Sequence, residues 1–439
     1  MLTRRNFMKI ALVSATTLSL GLQVGCDGNG ESDDADPVEF TLISDAHLYD
    51  SRLGITGAAF EEYLATDPKL LCESEAILKS AVDSIKSSSA QFVLICGDMT
   101  KDGERDCHEL MASYLAQLRA AGKMVYVVPG NHDVDNPEAY SYSGSTQTPV
   151  PNVTPEEFTD IYWDYGYSAA IARDPNSLSY VAEPTEGYWL LAMDSCIYKN
   201  NTSGKPNTAG AFSDQTLDWI RARLAEASQQ NKIVLGLMHH GLVEHFTGQA
   251  TLFPGFVIND WENLSQILAQ DGLRYVFTGH FHATDCTERT WTDTGDQLYD
   301  IETGSPVSSP CAYRQVRIEN GVMDIDTIRI TSIDYDTGSA TFQEYARDYA
   351  MQKGQNMFVG MFMSPPYNLT QAEAEGFTPT FMNALLAHYG GDESPDASTL
   401  STIQTLLGSS DPTDIELGQF LSTLWTDLTP EDNSLNVPM

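Results

Sequence analysis

The chain has 439 residues, with 61 acidic against 24 basic side chains and a formal net charge of −37 at pH 7. Its hydrophobic content of 42% is that of a globular protein, which argues against a mainly disordered chain. So acidic a surface repels the phosphates of duplex nucleic acid, although bound metal ions could reverse the field locally for a small phosphate substrate.

The first 26 residues resemble an export signal. Residues 3–9, TRRNFMK, resemble the twin-arginine motif, and residues 10–24 form a moderately apolar segment too short and too rich in Ser and Thr for a spanning helix. A lipoprotein-type cleavage box then ends at Cys26, and the acidic Gly/Ser stretch of residues 27–37 reads as a tether. We therefore expect an exported protein, either periplasmic or attached to the outer face of a membrane through lipidated Cys26.

From residue 38 the chain alternates strand-like and helix-like segments. Five apolar, β-prone runs lie at residues 38–43, 92–95, 125–128, 233–237 and 275–277. Helical spacing of apolar residues occupies residues 73–86, 105–121, 213–227 and 261–269. Strands that alternate with helices indicate βαβ units, so we expect an α/β fold with a largely parallel sheet.

Each of the five apolar runs is followed directly by polar residues of metal-ligand type. These segments are Asp45-Ala46-His47, Gly97-Asp98, Gly130-Asn131-His132-Asp133, Met238-His239-His240 and Gly279-His280-Phe281-His282, and they hold six of the nine histidines. Open α/β sheets bind their ligands at the carboxyl ends of the strands. Carboxylates, an amide and imidazoles without thiolates suit Mn, Fe or Zn. The sequence therefore predicts a two-metal site at one sheet edge.

The remaining segments are expected to complete and extend this domain. Strand-like runs at residues 297–301, 312–318 and 323–331 should form a meander that completes a second sheet packed against the first. Two long insertions, residues 48–70 and 134–155, should shape a substrate pocket. We thus expect a catalytic domain over residues 38–335 and a helical C-terminal extension over 336–439, with helices at residues 342–351, 370–375, 381–388, 398–407 and 417–425.

The order D-x-H, G-D, G-N-H-D, H and G-H-x-H resembles the calcineurin-like metallophosphoesterase superfamily over roughly residues 38–330. The resemblance implies a four-layer αββα sandwich with helices outside two packed sheets. It implies that one metal ion is held by Asp45, His47 and His282, and the other by Asn131, His239 and His280, with Asp98 bridging both. His240 would then lie behind the ligands or face the substrate, whereas His108 and His245 read as surface or loop residues.

The resemblance also implies a reaction. Two metal ions can clamp the attacking and leaving oxygens of an in-line displacement at phosphorus, and a hydroxide between them would be the nucleophile. His132 would contact the phosphate and help to protonate the leaving group, a task suited to a histidine pKa. Asp133 would orient or charge His132, although a structural role in the turn is equally open.

The substrate class stays open at this point. A purple acid phosphatase is disfavoured, because that group carries a tyrosine ligand three positions after the bridging aspartate, where this chain has Lys101. The G-N-H-D form favours a small phosphodiester over a phosphomonoester. A nucleotidase or nuclease of the same fold is an alternative, as is a non-catalytic metal-binding lipoprotein, which the intact ligand set and His132 argue against.

Overall fold

The computed structural model describes residues 36–65, 67–201 and 204–439. Pro37–Met439 form one compact unit, so the boundary expected at residue 335 does not separate two units. The expected signal, and all of the tether up to residue 35, lie outside the described residues. Among the described helices, none is both long and apolar enough to span a membrane.

Fifteen strands and eleven α-helices make up the described part of the chain. The strands are β1 Val38–Ile43, β2 Phe92–Ile95, β3 Met124–Val127, β4 Tyr140–Ser143, β5 Thr146–Pro149, β6 Ala172–Arg173, β7 Tyr180–Thr185, β8 Tyr188–Ala192, β9 Ile233–Leu237, β10 Tyr275–Thr278, β11 Asp285–Thr290, β12 Gln297–Glu302, β13 Ala312–Glu319, β14 Val322–Arg329 and β15 Ser434–Pro438. The helices are α1 Ala58–Leu64, α2 Ser74–Lys86, α3 Arg105–Ala120, α4 Pro155–Ile161, α5 Asp214–Gln229, α6 Gln249–Leu252, α7 Trp261–Gln270, α8 Phe342–Met363, α9 Gln371–Gly390, α10 Ala397–Leu407 and α11 Pro412–Thr423.

Two mixed sheets form the centre of the fold. The first has the order β15-β14-β13-β1-β2-β3, in which β1, β2 and β3 are parallel and β13, β14 and β15 run antiparallel to their neighbours. The second has the order β11-β12-β10-β9-β8-β7-β6, with β8, β9, β10 and β12 parallel. The carboxyl ends of the predicted strands therefore lie together at one edge of each sheet.

The sheets pack face to face with helices outside. Phe40 of β1 stacks on Phe92 of β2 at 4.7 Å between ring centroids and meets Phe277 of β10 edge-on at 5.5 Å. Along β9, Leu235 joins this inner core, whereas its neighbour Val234 packs into a second cluster with α5 and α7. Such alternation is what a strand with two covered faces produces. The predicted αββα sandwich is confirmed.

Several sequence-based assignments differ from the structure. The runs at 312–318 and 323–331 were expected in the second sheet, but they form β13 and β14 and pair with β1 in the first. The two helices expected at 370–375 and 381–388 are one helix, α9, which continues through Pro379. Strands β4 to β8, β11 and β15 were not predicted. In β15 only Leu435 and Val437 are buried, a pattern too short to stand out in sequence.

Candidate metal centre

All seven predicted ligands lie at the carboxyl edge of the two sheets. Six are buried, with at most 4% of each residue exposed, and His282 is partly buried. Five of them adopt a positive φ, which non-glycine residues seldom do: Asp45, His47, Asp98, His280 and His282. Backbone strain of this kind, about 1–3 kcal/mol per residue, is retained at functional sites. The turns after β1, β2 and β10 are thus shaped to point side chains into one place.

The first group of ligand atoms comes from the turns after β1 and β10. Oδ1 of Asp45 lies 3.4 Å from Nε2 of His282 and 3.8 Å from Nε2 of His47. The two Nε2 atoms are 3.1 Å apart. Oδ1 of Asp45 is buried and has no hydrogen-bond partner among the described residues. A carboxylate oxygen and two imidazole nitrogens facing one another are suited to a shared cation, so this donor set fits a metal ion.

The second group comes from the turns after β2, β3, β9 and β10. Nε2 of His239 lies 3.3 Å from Oδ2 of Asp98 and 3.1 Å from Oδ1 of Asn131. His280 brings a ring nitrogen to the same group. Oδ2 of Asp98 is also 3.8 Å from Nε2 of His47 in the first group. Asp98 therefore lies between the two groups, as a bridging ligand must.

Hydrogen bonds behind the imidazoles hold their orientation. Nδ1 of His239 is 2.8 Å from the carbonyl oxygen of Cys96, and Nδ1 of His282 is 2.8 Å from Oγ of Ser308. Each bond leaves Nε2 facing the site, as is usual for metal-binding histidines. His240, by contrast, binds Ser195 and the carbonyl of Thr208 through its two ring nitrogens, which leaves His239 as the member of the pair that enters the site.

The charges of the second group are coupled. Burial disfavours a charged His239, but Asp98 outweighs it and raises the pKa of His239 to about 9. Burial likewise opposes the ionisation of Asp98, yet His239 and His132 hold the pKa of Asp98 well below its ordinary value. Without a cation the pair thus keeps a proton on His239, and metal binding would release it.

His132 lines the same edge and is oriented by a buried acid. Its Nδ1 lies 2.8 Å from Oδ1 of Asp102, and its Nε2 lies 4.0 Å from Oδ2 of Asp98. Asp102 in turn pairs with the buried ammonium of Lys101, which lies over the ring of Tyr63 and 3.4 Å from Oε1 of Glu104. Burial lowers the pKa of His132, but Asp98 and Asp102 outweigh it and raise that pKa above its ordinary value.

The prediction that Asp133 orients His132 is wrong. The carboxylate of Asp133 accepts hydrogen bonds from the backbone N–H groups of Gly130, Met99 and Thr100, at 2.8, 3.2 and 3.0 Å, so it holds the turn together. Asp102, which takes that role instead, was not among the site residues predicted from the sequence. An acid four positions after Asp98 and adjacent to a lysine was the signal available.

Two further histidines, expected to be surface or loop residues, are both buried. His108 lies in α3, with Nδ1 2.8 Å from the hydroxyl of Tyr162 and Nε2 2.8 Å from the carbonyl of Asp133. His245 is also buried, and its Nδ1 lies 2.6 Å from Oδ1 of Asp285. Both are core histidines with polar partners.

A cavity of about 320 Å³ opens onto the two ligand groups. His132 lines it, and the first insertion contributes Asp67 and Lys69. Phe256 from the segment after α6 stacks on His280 at 4.6 Å, and Tyr389 of α9 lies 6.3 Å from His282. The insertion at 134–155, expected to shape the pocket, contributes no lining residue.

Residues 38–284 match the family described as calcineurin-like phosphoesterase. The chain belongs to the calcineurin-like phosphoesterase family. It is therefore a metal-dependent hydrolase of phosphoric esters.

Three individual proteins illustrate what this phosphoesterase is similar to. It is 24% identical over 230 residues to a probable cyclic nucleotide phosphodiesterase of Synechococcus sp., covering 49% of this chain and 71% of that protein. Among solved structures it is similar to a dimetal phosphatase of Danio rerio, at 18% identity, covering 66% of this chain and 95% of that one with a TM-score of 0.46. It is also similar to a purple acid phosphatase of yellow lupin, at 12% identity, covering 67% and 52% with a TM-score of 0.41.

Proposed function

We propose that this phosphoesterase hydrolyses a small phosphodiester at a centre of two metal ions. The observation that carries the proposal is the meeting of two ligand groups at Asp98, with His132 on the rim of the same cavity. Asp45, His47 and His282 would hold one ion, and Asn131, His239 and His280 the other, with Asp98 shared. The oxygen and nitrogen donors suit Mn, Fe or Zn. When bound, two such ions supply Lewis-acid stabilisation of charge at phosphorus and a nucleophile derived from water.

His132 would act as the general acid. Asp98 and Asp102 raise the pKa of His132, which favours the protonated imidazolium, and the carboxylate of Asp102 accepts its Nδ1–H at 2.8 Å. This leaves the Nε2–H of His132 available to the cavity. From there it can hydrogen-bond a phosphoryl oxygen or give its proton to the departing alkoxide, which forms a neutral alcohol.

The lining of the cavity favours a diester over a monoester. Lys69 supplies one ammonium group, and no other lysine or arginine among the described residues lines this cavity. Asp67 lies beside it. One lysine and His132 suit the single charge of a diester better than the two charges of a monoester. The aromatic faces of Phe256 and Tyr389 offer apolar surface for the two ester groups that a diester carries. The similarity to a probable cyclic nucleotide phosphodiesterase supports the same choice.

The test compares bis(p-nitrophenyl) phosphate with p-nitrophenyl phosphate, using chain reconstituted with Mn, Fe or Zn. The variant Asp98→Asn removes the shared ligand charge, and Asp83→Asn, on the exposed face of α2, is the matched control. We expect metal-dependent turnover that favours the diester, is lost in Asp98→Asn and is unchanged in Asp83→Asn.

Two results would contradict the proposal. A higher kcat/KM for the monoester than for the diester would favour the phosphomonoesterase alternative. Turnover that persists both in Asp98→Asn and after prolonged chelation would show that the metal centre takes no part in the reaction.

We further propose that the protein is exported and attached to a membrane through a lipid on Cys26. This rests on the sequence of residues 1–35 alone, in particular the paired arginines and the lipobox-type segment. Cell fractionation of Cys26→Ala should move the protein from the membrane to the soluble exported fraction, and Arg4→Lys combined with Arg5→Lys should retain it in the cytoplasm. An unchanged distribution in both variants would refute the proposal.

A further inference from the structure

A second buried cluster of metal-ligand side chains lies where the C-terminal helices meet the second sheet. Asp285 begins β11, His388 lies in the last turn of α9, and Glu393 follows that helix. Their side chains are fully buried. One ligand atom from each lies within 4.8 Å of the other two. None of the three belongs to the centre described above.

Distances within the cluster match those of a small coordination site. Nδ1 of His388 is 2.8 Å from Oε1 of Glu393 and 3.7 Å from Oδ2 of Asp285. Ligands about 2.1 Å from a tetrahedral ion stand about 3.4 Å apart, between these two values. Oδ2 of Asp285 and Oε2 of Glu393 are buried without a hydrogen-bond partner among the described residues. A buried carboxylate oxygen without a partner is unfavourable, so these two oxygens point to a bound cation.

The charged side chains around this cluster also favour the binding of a cation. Asp300 and Glu302 are buried beside His245, at 3.5 and 3.6 Å from its Nε2. Arg314 is buried as well, but its guanidinium donates to the backbone carbonyls of Asp285, Glu302 and Asp432 and to the hydroxyl of Thr327. The four carboxylates of Asp285, Asp300, Glu302 and Glu393 are therefore enclosed with two imidazoles and one guanidinium that is engaged elsewhere.

We propose that Asp285, His388 and Glu393 bind a third metal ion, which fastens the helical extension to the second sheet. Two carboxylates and an imidazole favour a borderline-to-hard divalent ion such as Zn or Mn. The ion would add two positive charges where the enclosed carboxylates exceed the cations. Because all three side chains are fully buried, its role is structural. The inference does not depend on the proposed substrate.

The experiment counts metal ions in the full chain after reconstitution with Zn or Mn and removal of free metal. Inductively coupled plasma mass spectrometry is applied to the wild type, Glu393→Gln, Asp98→Asn, and the control Glu375→Gln on the exposed side of α9. Circular dichroism checks that each variant is folded. Anomalous diffraction from crystals of the same samples then locates each ion.

We expect three ions per chain in the wild type and in Glu375→Gln, and two in Glu393→Gln with the anomalous peak beside His388 absent. Asp98→Asn should keep that peak while it loses ions at the sheet edge. A wild type with two ions, both at the sheet edge, would overturn the inference and favour a protonated His388 paired with Glu393. So would a peak beside His388 that survives in Glu393→Gln. If the wild type shows the peak beside His388 but no phosphoesterase turnover, the proposed function is wrong and the third metal site is still supported.

Discussion

Replacing Asp102 by Asn tests whether a buried acid makes His132 the proton donor. Asp102 is 1% exposed and lies 2.8 Å from Nδ1 of His132. Burial opposes its ionisation, but Lys101 and His132 outweigh this and lower the pKa of Asp102 to about 2. The carboxylate is therefore charged at every working pH, and the variant removes a full negative charge from the imidazole while it keeps the shape of the side chain.

The size of the effect follows from this one contact. A hydrogen bond between charged groups contributes roughly 1.5–3 kcal/mol, and one pKa unit corresponds to about 1.4 kcal/mol. Since Asp102 raises the pKa of His132, its loss should lower that pKa. In the variant, His132 then loses its proton at a lower pH than in the wild type. The basic limb of the kcat/KM profile should move to lower pH, and the lost hydrogen-bond energy corresponds to a fall in activity above that limb of about 10- to 100-fold.

The assay is a pH profile of kcat/KM with the preferred nitrophenyl ester and fixed metal. Asp102→Asn also leaves Lys101 with Glu104 as its remaining acid partner, and loss of one member of a buried pair costs about 3–5 kcal/mol of stability. The double variant Lys101→Met with Asp102→Asn removes that buried cation as well. It should recover much of the lost stability in urea unfolding but keep the shifted pH profile.

An unshifted basic limb in a folded Asp102→Asn variant would refute the role of Asp102. A double variant that recovers the wild-type profile would instead show that instability, and not the lost hydrogen bond, caused the shift.

Three further predictions follow from other parts of the structure. Burial lowers the pKa of His108 to about 4, so the folded state binds fewer protons than the unfolded state below pH 6.5. Its stabilisation is complete above pH 6.5 and decreases by up to about 3 kcal/mol as pH falls towards 4, and His108→Gln should flatten this dependence in urea unfolding. Gly130→Ala should abolish turnover and metal retention, because its Cβ would lie 2.1 Å from Oδ1 of Asp98; full activity would contradict the packing of that turn. Gly360→Ala, in the last turn of α8 with open space around the new Cβ, should raise the free energy of unfolding by up to about 1 kcal/mol, and a decrease would contradict it.

Much of the site could be predicted because its residues follow strands directly. Asp45, Asp98, Asn131, His239 and His280 each stand within a few residues of an apolar run, and parallel strands deliver their carboxyl ends to a common edge. The order of the segments then indicated the family and the sandwich. These features depend on short stretches of chain and on the repetitive geometry of a sheet, so they can be recognised in the sequence.

The remaining assignments needed contacts between distant segments. The sequence offered the neighbouring Asp133 as the partner of His132, but side-chain direction in two facing turns makes Asp102, 30 residues earlier, the partner. Strand β15 pairs with β14 although more than a hundred residues separate them, and so few apolar side chains give no periodic signal.

The sequence by itself determined which residue types stand at the strand ends, and with them the metal chemistry and the αββα sandwich. The tertiary structure alone decided which ring nitrogen faces the site, which acid charges His132 and how α9 brings His388 to Asp285. The physical reason is that the periodicity of apolar residues and the residues of local turns indicate which positions are buried and where strands end. Hydrogen bonds and charge pairs depend instead on directions and distances of a few ångströms, which are set only when separate elements pack.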